Sequence, residues 1–225
     1  MAENRVPFLR GESVADGTMA FHFGRPRDFL FQAGQNVLVT LGAVSESRTF
    51  TLASAPHESE LMIATRMRDS AFKNHLRTLE AGAAVSLDGP NGMMVLHPDA
   101  QRPAVFIAGG IGITPFLSML RDASHRRLAH RITLFYSNRR ASSAAFLDEL
   151  RALEKTLPGF RLVSTLTEEG GEPIGEPLLR RRLTHLAAPV YYLAGPPAMT
   201  MNMQGMLAGL GVAPDDQRSE EFYGY

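Results

Sequence analysis

The stretch Ala104-Val-Phe-Ile-Ala-Gly-Gly-Ile-Gly-Ile-Thr-Pro-Phe116 decides how the chain is read. Ala104 to Ala108 is apolar without alternation, as in a parallel strand covered on both faces. Gly109, Gly110 and Gly112 permit a tight turn and close approach of the backbone to a ligand. Thr114 is placed to cap a helix whose first residue is Pro115, a position that needs no amide donor. Phe116, Leu117, Leu120 and Ala123 or Ser124 then supply one helical face. The free amides and dipole of such a helix start suit a phosphate, so the segment is expected to hold a nucleotide diphosphate. A glycine-rich strand-to-helix turn without a ligand has the same pattern.

Outward from that stretch, the chain has two rhythms. After the polar connection His97-Pro-Asp-Ala-Gln-Arg-Pro103, strands are expected at Ala104–Ala108, Arg131–Tyr136, Arg161–Thr165 and Val190–Leu193. Helices are expected near Pro115–Leu128, Ala144–Lys155, Pro177–Leu186 and Met199–Leu210. This alternation predicts a doubly wound parallel sheet, whose ligands bind beyond the carboxyl ends of the strands. Gly195-Pro-Pro197 follows the last strand and is expected to reach the same crevice. Before about residue 100 the pieces Met19–Phe23, Asn36–Thr40, Thr49–Leu52, Glu60–Arg66 and Ala84–Leu87 are short and broken by turns. They predict an antiparallel sheet closing as a barrel or sandwich. One helix interrupts them, with Phe72, Leu76 and Leu79 on one face and Ser70 available as its cap. The domains are expected at residues 1–98 and 99–225.

Composition narrows the function. Of 225 residues 44% are hydrophobic, enough for ordinary cores, and 23 Lys and Arg balance 23 Asp and Glu. That balance gives no footing for nucleic acid as a partner. The absence of cysteine excludes disulfides, thiolate-held zinc and a cysteine-held iron–sulfur cluster within this polypeptide. His57, His75, His97, His125, His130 and His185 show no metal-binding spacing, and no metal site is expected. Without a signal-peptide core or an apolar run of about 18 residues, no membrane insertion and a cytoplasmic location are expected.

The second expected strand ends in Ser137-Asn-Arg-Arg140, two cations where an acid would favour an unphosphorylated ribose. Arg139 and Arg140 suit the 2′-phosphate of NADP(H); they also suit water after a strand.

Three ordered signatures, spread over nearly the whole chain, resemble the ferredoxin–NADP reductase family, especially its short bacterial members and related flavin reductases. Arg48-Thr-Phe-Thr51 looks like the flavin-binding segment, Gly109-Gly-Ile-Gly-Ile-Thr-Pro115 like the pyrophosphate turn, and Gly195-Pro-Pro-Ala-Met199 like the nicotinamide-side segment. The resemblance implies an N-terminal antiparallel Greek-key β-barrel that binds FAD and a C-terminal doubly wound α/β sheet that binds NADP(H). It implies Arg48 on the FAD pyrophosphate, Phe50 in the place of a flavin-stacking tyrosine, and Thr51 near flavin N5, with Thr49 between them. Arg66, Ser70 and Ala71 would contact the FAD phosphates, and Gly89-Pro-Asn-Gly92 would be a structural turn. Gly110, Gly112, Ile113, Thr114, Ser137, Arg139, Arg140, Gly195, Pro196 and Met199 would hold the nucleotide. Ala194 departs from the family, which usually has cysteine there beside the nicotinamide; alanine implies looser geometry and a lower rate.

The tail Glu220-Glu-Phe-Tyr-Gly-Tyr225 resembles the family's flavin-covering terminus. Phe222, Tyr223 and Tyr225 are candidates for the cover, or for ordinary packing in a groove. Glu220 or Glu221 is the carboxylate candidate, with Glu221 assigned the catalytic role beside Thr51 and Ala194. The resemblance implies a flavoprotein oxidoreductase moving hydride between NADP(H) and FAD and electrons to or from ferredoxin or flavodoxin. The alternatives are an NAD(P)H:flavin or ferric reductase and a non-catalytic nucleotide-sensing or electron-transfer subunit. Arg5, Arg10, Arg25 and Arg27, with Arg66 and Arg68, are expected to give the first domain a positive face for an acidic carrier. Arg180-Arg-Arg182 is expected to be solvated surface.

Overall fold

The computed structural model describes residues 3–42 and 46–222. Six strands form the first sheet: β1 (Glu3–Ala15), β2 (Thr18–Gly24), β3 (Asn36–Leu41), β4 (Glu46–Thr51), β5 (Glu60–Arg66) and β6 (Ala84–Asn91), in the order β4-β3-β6-β1-β2-β5. All its ladders are antiparallel. Among the described residues the edges β4 and β5 approach through an antiparallel bridge, Leu52 with Ile63. Helix α1 (Ala71–Arg77) packs Phe72 and Leu76 into the core of Val6, Phe21, Phe23, Val37, Leu61 and Val85.

Strand β1 has no counterpart among the expected strands, because Pro7 and Gly11 interrupt its alternation. Its amino-terminal part pairs with β6 and its carboxyl-terminal part with β2, with register shifts at Phe8/Arg10 and Ser13/Ala15. Pro7 lies at the last pair of the β6 ladder, opposite Ala84, where a missing amide costs little. The Asp16-Gly17 turn into β2 uses a left-handed glycine, φ 63°.

The second sheet contains β7 (Ala104–Gly109), β8 (Ile132–Asn138), β9 (Phe160–Leu166), β10 (Val190–Gly195) and β11 (Gln217–Glu221), in the order β11-β10-β7-β8-β9. Every ladder is parallel. Helices α2 (Thr114–Arg126) and α3 (Leu147–Thr156) cover the face carrying Phe106, Leu134 and Tyr192. Helices α4 (Glu176–Arg182) and α5 (Pro197–Gly209) cover the face carrying Val105, Ile107, Tyr191 and Leu193. The chain turns one way from β7 through β8 to β9 and the other way from β10 to β11, so the crevice opens where β7 and β10 lie side by side. Among the described residues no helix is long and apolar enough to cross a membrane.

One expectation fails at α2. Gly110–Ile113 winds into a 3₁₀ turn, so Thr114 is already helical and Ile113 takes the cap position without a side-chain bond. The Thr114 hydroxyl donates instead to the Ile111 carbonyl at 3.2 Å. Because the turn begins the helical winding early, the hydroxyl meets a carbonyl three residues back rather than a free amide.

Helix α2 keys the two sheets together. Phe116 and Met119 share one core with Ala53, Met62 and Met94 of the first half. The buried Ser118 hydroxyl donates to the Ser54 carbonyl at 2.7 Å and accepts from Gly34 N at 3.3 Å. Arg121 makes paired bonds to Glu149 at 2.6 and 2.8 Å, and reaches across to the Ala53 carbonyl at 3.3 Å and Glu58 at 3.4 Å. Arg121→Ala strands two carboxylates and a carbonyl at this junction. It is expected to lower unfolding free energy by about 2 kcal/mol, read from a urea titration. An unchanged midpoint would show that the junction does not depend on it.

Candidate functional site

A cavity of about 530 Å³ lies between the end of β4, the β5–α1 segment, the turn after β7 and the tail of β11. Arg48, Thr49, Phe50 and Thr51 line it from β4, Arg66 and Ser70 from the opposite side, and Phe222 from the tail. Phe50 is 9% exposed and its ring stacks on Phe72, centroids 5.8 Å apart, with the Arg48 guanidinium 5.9 Å from the Phe72 centroid. This gives the cavity an aromatic floor with a cationic rim. Arg48 also bonds Glu46 at 2.9 Å and the Ser47 carbonyl at 2.9 Å.

Ser70 caps α1, its hydroxyl accepting from Lys73 N at 3.2 Å. Ala71 is exposed as the first helical residue and is not part of the lining. Lys73, Arg68 and Asp69 also line the cavity; Arg68 was expected on a carrier-facing surface, and Lys73 and Asp69 were given no role from the sequence. Lys73 holds the Arg66 carbonyl at 2.7 Å. Burial, and then the neighbouring Arg68 and Arg48, push its ammonium below the usual lysine range. Crowded cations on one wall are a poor arrangement by themselves and a good one around a diphosphate, so these residues fit the FAD the resemblance implies.

The carboxylate that meets Thr51 is Glu220. Thr51 Oγ1 donates toward both Glu220 oxygens, 3.2 Å from each, across 169 residues of sequence. Asn36 Nδ2 donates to Glu220 Oε1 at 3.2 Å. Glu221 also lines the cavity, and the Thr51 contact belongs to its neighbour Glu220, the other carboxylate candidate. The reason is register: Glu220 lies beside Ala194 and Glu221 beside Gly195, and adjacent strand residues face opposite ways. Burial pushes the Glu220 carboxyl above the usual carboxylate range, while the bonds from Asn36 and Thr51 oppose that shift.

The nucleotide-side residues gather at the carboxyl ends of β7, β8 and β10. Gly109 pairs with Ser137 and Ala108 with Ala194. Gly110 is left-handed, φ 51°, and half-buried, whereas Gly112, Ile113 and Thr114 are buried. Gly112 serves a backbone contact: a Cβ there would lie 2.2 Å from the Ala194 carbonyl oxygen. Ala194 is 0% exposed, its side chain within the core beneath the crevice. Pro196 precedes α5, and Met199 packs against Gly109, where an added Cβ would meet its sulfur at 2.6 Å. Buried Asn138 Nδ2 and Thr165 Oγ1 have no hydrogen-bond partner among the described residues. Such orphan groups at strand ends fit a site completed by a polar ligand.

Arg139 and Arg140 are exposed and flank one carboxylate, Arg140 at 2.8 Å and Arg139 at 3.9 Å from Glu168. Two of the arginines expected to steer a carrier have partners within the chain, Arg10 while still exposed. Arg10 bonds Glu60 at 2.7 and 2.9 Å, and Arg25 holds the carbonyls of Phe29, Pro56 and Glu58. Arg180 pairs with Glu176 and Arg181 with Glu172 on the surface. Among the described residues no group of three or more His, Asp or Glu is arranged for a metal. Phe222 is half-buried and its amide donates to the Gly195 carbonyl at 3.0 Å, tying the tail to the crevice. Tyr223 and Tyr225 lie outside the described residues.

A parallel sheet with a glycine turn at its switch point, facing a cavity on an antiparallel sheet, has the arrangement of a nucleotide-binding protein with a second cofactor site. Residues 106–204 match the family described as the oxidoreductase NAD-binding domain. The chain is 31% identical over 172 residues to ferredoxin–NADP reductase B of Sorangium cellulosum (strain So ce56), covering 75% of this chain and 70% of the relative. It is 28% identical over 200 residues to reductase component 2 of terephthalate 1,2-dioxygenase from a Comamonas species, covering 85% of this chain. The chain spans 59% of that component's length. Its fold matches a ferredoxin–NADP⁺ reductase from Neisseria gonorrhoeae with bound FAD and NADP, at TM-score 0.84, 22% identity and coverage of 98% of this chain and 99% of the other. A cytochrome P450 reductase from Amycolatopsis matches at TM-score 0.86 and 24% identity, covering 98% of this chain and 70% of the other. The chain belongs to the ferredoxin–NADP reductase family of FAD- and NAD(P)-binding oxidoreductases.

Proposed function

We propose that this chain is a reductase that takes electrons from NADPH and delivers them to a one-electron carrier protein, ferredoxin or flavodoxin, with the flow reversible when the carrier is the stronger reductant. The observation carrying this reading is the Thr51–Glu220 contact within a cavity floored by Phe50 and rimmed by cations. In this reading the first sheet acts as a closed flavin-binding barrel. Bound FAD supplies the redox chemistry, taking electrons as a pair from nicotinamide and releasing them singly.

The protein's own groups bind, orient and exclude water. Arg48, Arg66, Arg68 and Lys73 hold the diphosphate, and Phe50 offers its ring to the flat ring system. Gly110 lets the turn after β7 approach the second diphosphate, while Ser137, Gly195, Pro196 and Met199 shape the walls around the nicotinamide half. Thr51 and Glu220 hold a hydroxyl and a carboxyl at the meeting point of the two sites, and Phe222 shields it from water. The names of the Sorangium and Comamonas relatives support a carrier protein as partner.

An absorbance spectrum of the purified protein, followed by anaerobic titration with NADPH and NADH, tests the reading. A retained flavin spectrum bleached preferentially by NADPH is expected. FAD that dissociates and behaves as a diffusing substrate points to a flavin reductase instead; bound FAD that neither nucleotide reduces ends the proposal.

Arg139 and Arg140 carry the preference for the phosphorylated nucleotide. Replacing both by alanine is expected to raise KM for NADPH roughly tenfold, the loss of about one charge-assisted bond, and to leave KM for NADH within twofold. Equal changes for both nucleotides would remove the 2′-phosphate from their role.

A further inference from the structure

Asn36 has no part in the scheme above, yet several features converge on it. In the β3–β4 ladder it lies directly opposite Thr51, and its Nδ2 donates to Glu220 Oε1 at 3.2 Å. It sits where the β3–β6 register slips, between the pairs Asn36–Asn91 and Leu38–Asp88. The turn after β6 closes around it. Gly92 is left-handed, φ 87°, and a Cβ there would stand 2.7 Å from Asn36 Nδ2. A Cβ on Gly89 would stand 3.1 Å from the Asn36 carbonyl oxygen. Gln35 Nε2 fastens the turn through the Gly92 carbonyl at 3.3 Å.

The chemistry of the contact explains the residue type. Thr51 has one hydroxyl proton and stands 3.2 Å from both Glu220 oxygens, so it alone does not choose between two orientations of the carboxyl. A second donor on Oε1 removes that symmetry. An aspartate at 36 would set two carboxylates against each other, and an aliphatic side chain would leave a half-buried carboxyl with one donor.

We propose that Asn36 is a positioning residue of the reductase site, fixing Glu220 in a single orientation toward Thr51, and that the Gly89–Gly92 turn seats it there. The proposal rests on the reductase reading above. Charged groups facing the same cavity are Arg48 from β4, Arg66, Arg68, Asp69 and Lys73 from the β5–α1 segment, and Glu221 from β11. His97 and Arg218 line the adjoining groove with Asn36. Among the described residues, the side chains that donate to Glu220 are those of Asn36 and Thr51.

The test uses flavin-loaded protein carrying Asn36→Ala, Asn36→Asp, Asn36→Gln or Gly92→Ala, with two readouts. The first is NADPH oxidation with ferricyanide between about pH 5 and 9. Asn36→Ala is expected to lower kcat about tenfold, the effect of a modest misorientation, to leave KM for NADPH within twofold, and to move the acid limb of the kcat profile to higher pH. Asn36→Asp moves it further, Asn36→Gln restores part of the loss, and Gly92→Ala reproduces the direction of Asn36→Ala. The second readout needs no turnover: the pH at which thermal stability registers Glu220 ionisation rises in Asn36→Ala, and that displacement vanishes when Glu220→Gln is added. An active wild type with Asn36→Ala unchanged in both readouts overturns the positioning role alone. A wild type whose bound FAD is not reduced by NADPH overturns the reductase reading and the role with it, even where the stability displacement is seen.

Discussion

Glu220→Gln is expected to lower NADPH turnover by about a hundredfold, at the lower end of what loss of a proton-handling carboxyl produces, while raising the melting temperature at neutral pH. Both effects come from one geometry. Glutamine keeps an acceptor for Thr51 and Asn36, so the packing around β11 survives. It removes a group able to hold or release a proton beside the Thr51 hydroxyl. The stability gain follows from the direction of the shift. Burial raises the folded-state pKa of Glu220 above its ordinary 4.5, so the folded protein binds that proton more tightly than the unfolded chain. The wild type's stability from this group is fully present below the unfolded value and is lost as pH rises through the folded one. The amide has no such loss, so the gap between variant and wild type opens above about pH 4.5 and closes below it. Melting curves from pH 4 to 8 with steady-state rates check both halves. A variant as active as the wild type would remove Glu220 from the chemistry, and one less stable at neutral pH would remove the burial argument.

Gly112→Ala is expected to cost at least about 3 kcal/mol of stability and to raise KM for NADPH more than tenfold. The added methyl would stand 2.2 Å from the Ala194 carbonyl oxygen, 2.5 Å from its carbon and 2.7 Å from Gly195 N. All three are backbone atoms at the end of β10, with no rotamer to relieve the clash. The turn after β7 must therefore move away from Gly195 and Pro196, opening the wall that the nucleotide needs. Gly109→Ala is the control, since its methyl meets the Met199 sulfur at 2.6 Å, and an unbranched side chain repacks. Its expected cost is about 1 kcal/mol. Similar urea midpoints for the two variants would show that backbone crowding at Gly112 is not what holds the turn.

What the sequence disclosed depended on the range of the forces involved. The β7 strand and its glycine turn, and the Gly195-Pro-Pro197 turn, follow from local propensity, and the structure has them in the second sheet. Thr114 was misread because a 3₁₀ turn precedes α2, and a short polar side chain beside glycines looks the same in either winding. Strand β11, Gln217-Arg-Ser-Glu-Glu221, has no apolar residue and is held through its parallel ladder with β10, so periodicity is silent about it. Asn36 was hidden for the same reason, and nothing local chose Glu220 over Glu221: the Asn36–Glu220 pairing spans 184 residues and is fixed by strand register. The partners of Arg10 and Arg25 were not legible because nothing local marks Glu60, or the carbonyls of Phe29, Pro56 and Glu58, as theirs; Arg10 is on the surface as expected, and Arg25 is half-buried.

The keying of α2 into the first sheet also limits how this molecule breathes. With Ser118 bonded to Ser54 and Gly34, and Arg121 spanning to Ala53 and Glu58, a wide jaw-like swing of one half against the other would break these bonds. In the proposed reading, admission of a second planar ring falls to the rim, where Phe222 packs against the core and its amide holds the Gly195 carbonyl. On that reading, displacing one side chain at the rim would leave the spacing of the donor and acceptor sites unchanged while the traffic passes.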